Sequence, residues 1–321
     1  MTRLHDLKII FLIVIPIIVI HPLQSHATSI PTLDKWRLEI EAINKNIEQL
    51  YIAKNINTLI GLYAEEFTFS PEYKRAILEI NVLKKFFTDW FNAANIKAYK
   101  KKISLVEVYS GYVLEMGTFR FDYFAIDKRQ KEYEGHYMIL WKRNGSGELK
   151  IVSETFGANE YIGPQDVPYA SVQLAQSGFT PMHKVSNQIY DEVIAFDDIV
   201  LKAVAQGDGD VRANGFTEDA ILMSTFDSIR VGIEVIRPKM LKTYTRDVSF
   251  NVNHTYFRIY DLGEYVFVTS HYKGGWGDTS NGGRFEGNMA NLMKRNGNGK
   301  LLMHRQVGNR DSELVRVGGN R

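Results

Sequence analysis

The chain has 321 residues, 45% of them hydrophobic and 24% charged, with no cysteine and a formal charge of +2. Length and composition predict two ordinary folded domains and exclude a disordered or collagen-like chain. The lack of cysteine excludes disulfides, thiolate nucleophiles and cysteine-ligated metal centres, and so small a charge does not mark a dedicated nucleic-acid surface.

Arg3 and Lys8 precede an aliphatic run over residues 9–20, broken only by Pro16 and followed by His21-Pro22 and Ser25-His26-Ala27. This layout predicts a signal peptide over residues 1–27, cut after Ala27, and a periplasmic or secreted protein without membrane contact after cleavage. The run is shorter than the roughly 20 apolar residues of a spanning helix.

Trp36, Ile40, Ile43, Ile47 and Leu50 recur at spacings of four and three, one face of a first helix. A short second helix is expected over 57–64, capped by Asn55 or Asn57, then a strand at Phe67-Thr68-Phe69. A third helix carries Ile77, Ile80, Leu83, Phe87 and Trp90. Strands follow over 102–109, 112–126, 131–143 and 148–156, with a hairpin turn at Asn144-Gly145, two residues that tolerate positive φ. Gly163-Pro164, Pro168, Ser177-Gly178 and Pro181 punctuate a linker over 161–183. The order then recurs. Ile189, Val193, Phe196, Val200 and Val204 mark a helix, and a short one begins near Asp208 or Asp210. A strand at 220–223 and a helix carrying Ile229, Ile233 and Ile236 follow, and Pro238 should end or kink that helix early. Strands are expected over 246–257, 264–273, 283–294 and 300–307, with a turn at Asn296-Gly297.

The recurrence extends to identities. Glu134-Gly135, Lys142-Arg143-Asn144-Gly145, Gly147 and Leu149 reappear as Glu286-Gly287, Lys294-Arg295-Asn296-Gly297, Gly299 and Leu301, an offset of 152. Upstream, at an offset of 153, Tyr63 to Phe67 lies over Phe216 to Ala220, and Ile80, Val82 and Leu83 over Ile233, Val235 and Ile236. The expected domains are therefore 28–160 and 184–312, with a tail over 313–321. Each is α+β, three N-terminal helices packed on a curved antiparallel sheet, in tandem cones whose mouths can hold a ligand.

Tyr63-Ala64-Glu65-Glu66-Phe67-Thr68, Gly207-Asp208 with Phe216-Thr217-Glu218-Asp219-Ala220, and the hairpin over 135–147 resemble the nuclear transport factor 2-like superfamily, nearest its SnoaL-like branch. The resemblance implies a cone fold for both units but no single function, because the superfamily hosts isomerases, dehydratases, cyclases, hydrolases and non-catalytic modules. Its ketosteroid isomerases use a carboxylate base, a tyrosine and a protonated aspartate. The matching positions are Pro71 and Ser224, Ile47 and Val200, and Ile139 and Asn291. No base survives, so isomerisation of that kind is not expected.

No histidine of His136, His183, His254, His271 and His304 sits in an HxH or HExxH spacing, so no metal and no cofactor is expected. His136 shares a strand face with Met138 and Leu140, and Tyr137 shares the other with Ile139 and Trp141. The resemblance turns the Tyr137 face to the cavity, which leaves His136 outside as a structural or interface residue. Tyr73, Tyr137 and Trp141 either line a pocket or fill a core; Trp90 reads as core. His271 precedes a glycine-rich segment, 273–278, that either forms a lid carrying Trp276 or is a plain hairpin loop. Adjacent Asp197 and Asp198 point about 100° apart on a helix and read as a solvated face. Lys97, Lys100, Lys101 and Lys102 read as a solvated strand start, not a nucleic-acid site.

The favoured functional reading is an exported, non-catalytic binder of a small apolar or amphipathic ligand, using Tyr73, Tyr137, Trp141, Trp276 and Asn291. Alternatives are a lyase, isomerase or hydrolase acting on a cyclic or lipid-like substrate in the second domain through His271, Asn291 or Asp227, or an assembly module. Sheet faces are expected to pair in a homodimer or between the two domains of one chain. Ile139 against Asn291 and Tyr137 against Met289 show divergent interiors, so at most one cavity should be open.

Overall fold

The computed structural model describes residues 33–174, 185–277, 282–313 and 315–317. The expected signal peptide, residues 175–183 of the linker and most of the tail lie outside the described residues. Among the described residues no helix is long and apolar enough to cross a membrane.

Domain 1 runs α1 (Leu33–Ile52), α2 (Ile56–Ile60), β1 (Tyr63–Ser70), α3 (Ile80–Ala93), β2 (Asn95–Tyr109), β3 (Tyr112–Phe124), β4 (Gln130–Arg143) and β5 (Leu149–Ala158). Domain 2 runs α4 (Asn187–Ala205), α5 (Gly209–Asn214), β6 (Phe216–Met223), β7 (Arg230–Val231), α6 (Ile233–Thr243), β8 (Ser249–Asp261), β9 (Tyr265–Gly277), β10 (Gly282–Arg295), β11 (Leu301–Arg310) and β12 (Val315–Val317). The sheet orders correspond, β1-β5-β4-β3-β2 and β7-β6-β11-β10-β9-β8, with β12 on β10. In each the four long strands are antiparallel, and the short first strand adds in parallel on the last. With helices over one face, each half is an α+β cone, as expected. The bulges also correspond: the register of β2 shifts between Ile103 and Leu105, and that of β8 between Tyr256 and Arg258.

Local chemistry sets the joints. Asn55 caps α2 by accepting from the Thr58 N–H, and Asp208, 153 residues on, caps α5 by accepting from Val211. The second helix is shorter than expected, ending at Ile60, because the chain must extend to pair Tyr63 with Ile151. In the hairpins Asn144 and Asn296 accept from the N–H groups of residues two and four further on, and the left-handed residues are Gly147 and Gly299, not the Asn-Gly pairs. Pro238 does not end α6. The helix continues to Thr243, held by buried Ile236 and Met240. The repeated glycines 135 and 287 are steric necessities, since a Cβ there would lie 2.0 Å from the carbonyl oxygens of Gly157 and Asn309. Residues 161–174, expected as linker, fold back onto domain 1, where Tyr169 is buried against Trp90.

The sheets pack outer face to outer face. Leu114, Met116, Met138, Leu140 and Val152 meet Met223, Phe267, Ala290, Leu292 and Val307 in one apolar layer. Polar bonds rim it: Arg305 Nη2 to Glu107 at 2.7 Å, Thr68 Oγ1 to Thr269 Oγ1 at 3.3 Å, and Asn288 Nδ2 to the Lys74 carbonyl at 3.0 Å. Asn309 donates to the carbonyls of Ser70 and Phe156, and its Cβ faces Gly157. The expected pairing of faces thus occurs within one chain, and His136, on the outer face as expected, is buried beneath it.

Candidate functional site

The two cones have different interiors. In domain 1 the space between helices and sheet is filled by rings. Tyr51 packs on Phe87, Trp90, Phe91, Tyr99 and Phe121, and Tyr99 stacks on Phe121 at 4.0 Å. Buried among them, Glu115 accepts from Asn44 Nδ2 at 2.6 Å, the Tyr137 hydroxyl at 2.7 Å and Trp141 Nε1 at 2.9 Å, and pairs with Lys101 Nζ at 3.1 Å. Such a charge is tolerable in a core because donors surround it. Glu154 is pushed up by burial, against the pull of Lys101 and the Tyr63 hydroxyl.

In domain 2 the register replaces rings by small residues. At an offset of 153, Tyr51, Tyr99 and Phe121 become Val204, Val252 and Gly274; at 152, Phe156 becomes Gly308. A pocket of about 250 Å³ results, with Val200, Val204, Leu222, Val252 and Met303 on its walls. Its polar groups converge from five elements. Asp197 of α4 and His254 of β8, the counterparts of Asn44 and Lys101, meet at 2.7 Å between Oδ2 and Nδ1. A carboxylate oxygen accepts, so in this bond His254 Nδ1 is the donor and Nε2 is the ring nitrogen left for another partner. The Tyr256 hydroxyl donates to the same Asp197 oxygen, and burial, then Asp197, raises the pKa of that phenol. Gln306 Nε2 donates to Asn291 Oδ1 at 3.0 Å. Arg212 of α5 is buried on the pocket wall with its guanidinium 4.3 Å over the Phe216 ring, and among the described residues its Nη1 has no hydrogen-bond partner. Burial lowers its pKa, offset in part by Tyr244 and Asp197.

Of the residues singled out from the sequence, Asn291 lines this pocket, together with Ser224 and Val200 from the two other isomerase positions. The remaining candidates lie elsewhere. Tyr137 and Trp141 are buried on Glu115 in the filled cone, because the rings around them leave no cavity. Tyr73, at φ 58°, donates to the Ile162 carbonyl and sits at the seam near Phe226. Trp276 belongs to a strand, not a lid, since β9 runs through the glycines to Gly277 and pairs Trp276 with both Phe250 and Gly283. Asp227 sits between Arg230 and Lys239 at 2.8 and 3.1 Å; burial pushes its carboxyl up, but the two cations outweigh that and hold it low. His271 points away from the pocket, toward Asp311. Asp197 corrects the solvated-face reading of the aspartate pair: Asp198 is exposed, Asp197 buried. The offset maps Asp197 and His254 onto Asn44 and Lys101, but only the structure shows that these helix and strand positions meet.

No family model matches the chain, and no curated protein matches it. Among solved structures, a ketosteroid isomerase-like protein from Erwinia carotovora atroseptica is 18% identical over 40% of this chain and 100% of its own, with a TM-score of 0.36. A protein from Catenulispora acidiphila in complex with S-DNPA is 17% identical over 39% of this chain and 96% of its own, TM-score 0.36. An NTF-2 like protein of unknown function from Shewanella oneidensis is 15% identical over 38% and 98%, TM-score 0.33.

Proposed function

We propose that domain 2 binds a small, largely apolar molecule bearing an acidic group, and that domain 1 is a solid scaffold for it. The buried Arg212 carries this reading. A guanidinium on an apolar wall with an unpartnered Nη1 is matched by an anion, and the amide groups of Asn291 and Gln306 line the same pocket. Export through cleavage after Ala27 belongs to the same reading; N-terminal sequencing of the exported protein would show Thr28 first, and an intact Met1 would overturn that part.

Native mass spectrometry of the chain, gently purified, tests for a retained molecule. Titration with anilinonaphthalene sulfonate, an apolar ring system with an anionic end, tests the class. Saturable binding is expected, weakened about 10–100-fold by Arg212→Met. Equal binding by wild type and Arg212→Met would overturn it.

The Asp197–His254 pair favours a second reading, acid–base catalysis on the bound molecule. A histidine oriented through Nδ1 presents Nε2 as a proton acceptor within the pocket. A retained molecule whose mass changes with time in wild type, but not in His254→Gln, would support it; identical time courses would exclude it.

A further inference from the structure

The outer face of the domain 2 sheet holds a separate polar cluster. Tyr272 and Phe285 line the pocket, so strand alternation turns their neighbours His271 and Glu286 to the opposite face. Asp311 follows β11, and its N–H donates to the Glu286 carbonyl at 3.3 Å. One metal-ligating atom from each of His271, Glu286 and Asp311 lies within 4.8 Å of the other two. His271 Nε2 and Asp311 Oδ2 are 2.7 Å apart. The Asp311 side chain is only 2% exposed, yet among the described residues its Oδ1 has no hydrogen-bond partner. Glu286 Oε2 is also buried without one; Lys273 Nζ, on a mostly exposed side chain, stands 3.6 Å away. Buried carboxylate oxygens without donors are costly on their own and are satisfied by a cation.

We propose that His271, Glu286 and Asp311 form a Zn2+ site. One imidazole nitrogen and two carboxylate oxygens are ordinary zinc donors, and three protein ligands leave a fourth position for water. The imidazole selects against Mg2+ and Ca2+, which take oxygen donors. Zinc bonds of about 2.0–2.2 Å place tetrahedral ligand atoms roughly 3.5 Å apart, a spacing that side-chain rotation reaches from the present geometry. Spacings of 15 and 25 residues gave no motif because the ligands come from two strands and the chain beyond a third. The site ties β9, β10 and the end of β11 together beside Asn288, whose amide holds the Lys74 carbonyl of domain 1. Its role is to brace the seam, on the face away from the pocket.

The test uses the full chain, stripped with chelator and titrated with Zn2+ alone, read by calorimetry and by metal content after desalting. One Zn2+ per chain is expected, with a raised melting temperature. His271→Gln and Asp311→Asn should each weaken binding by more than the roughly 10–100-fold lost when an outer-shell partner of a metal ligand is removed. His254→Gln, which alters the other buried histidine–aspartate pair, should leave stoichiometry and affinity unchanged. Glu286→Gln removes no hydrogen bond and covers the case in which the other two variants do not fold. For the same reason, Co2+ on wild type should broaden the His271 ring resonances and spare those of His254. No stoichiometric uptake, or uptake that survives both His271→Gln and Glu286→Gln, would overturn the proposal.

Discussion

Domain 1 and domain 2 share sheet order, bulge positions and caps, yet the space between helices and sheet is open in domain 2 and filled by rings in domain 1, whose cleft of about 520 Å³ is lined instead by Lys54, Asn92, Lys97 and Phe124. The difference lies in a few side chains on an unchanged frame: Tyr51, Tyr99, Phe121 and Phe156 against Val204, Val252, Gly274 and Gly308. The same positions decide the polar interior. Asn44 and Lys101 are spent on Glu115, whereas Asp197 and His254 face open space because the Glu115 counterpart is Val268. The cone therefore does not make a pocket by itself. A pocket appears where large rings are withheld and the central carboxylate is absent.

The comparison can be broken first at the filled cone. Trp90→Ala should destabilise the protein by about 3–5 kcal/mol in urea titration, since the ring is buried among aromatics that cannot collapse into its space. A loss below about 1 kcal/mol would show that domain 1 is not tightly filled.

The second test concerns pH and the seam, where two buried titratable groups of domain 1 have uncharged counterparts in domain 2. Glu72, pushed up to about 7 by burial, corresponds to Thr225, and His136, pushed down to about 4 by burial, corresponds to Asn288. The Glu72 contribution is present below pH 4.5 and lost as pH rises through 7; that of His136 is present above pH 6.5 and lost as pH falls through 4. Each amounts to about 3 kcal/mol, and the slopes oppose one another where the windows overlap. Glu72→Gln should unmask a rise in stability from pH 4 to 6.5, and His136→Asn a fall from pH 4.5 to 7. Curves parallel to wild type would contradict both assignments.

A third test makes the domains alike. Val204→Tyr with Val252→Tyr imports the rings of domain 1 and should abolish binding of anilinonaphthalene sulfonate, with a stability change within about 1–3 kcal/mol. The smallest effect is expected where the domains already agree. Gly147→Ala and Gly299→Ala, at φ 86° and 74°, should each cost about 1–2 kcal/mol and differ little from one another.

Much of this frame was legible in the sequence. The spacing of Trp36 to Leu50 marked a buried helix face, and the repeated string located two hairpins and the glycines that close strand contacts require. Chain direction at β1 and β6 was not legible, because periodicity carries no pairing partner. Pro238 misled, since buried neighbours outweighed one lost backbone bond. The site was legible at Asn291, Ser224 and Val200, which entered by analogy of position, and at Met289, which the repeat set against Tyr137. Asp197 and His254 carry no local motif. They lie 57 residues apart, and only the register between helix and strand brings them together.

The contact of Asn309 with Gly157 has a consequence of its own. The two residues occupy the same place in the two copies and touch each other across the seam. In a twofold-symmetric pair of identical chains, a position that meets its own image must serve both sides with one residue. Two glycines would leave the Ser70 and Phe156 carbonyls without this donor, and two asparagines would compete for one space. Joining the copies in a single chain lifts that constraint. One side supplies the amide and the other the room for it, so each half is free to specialise.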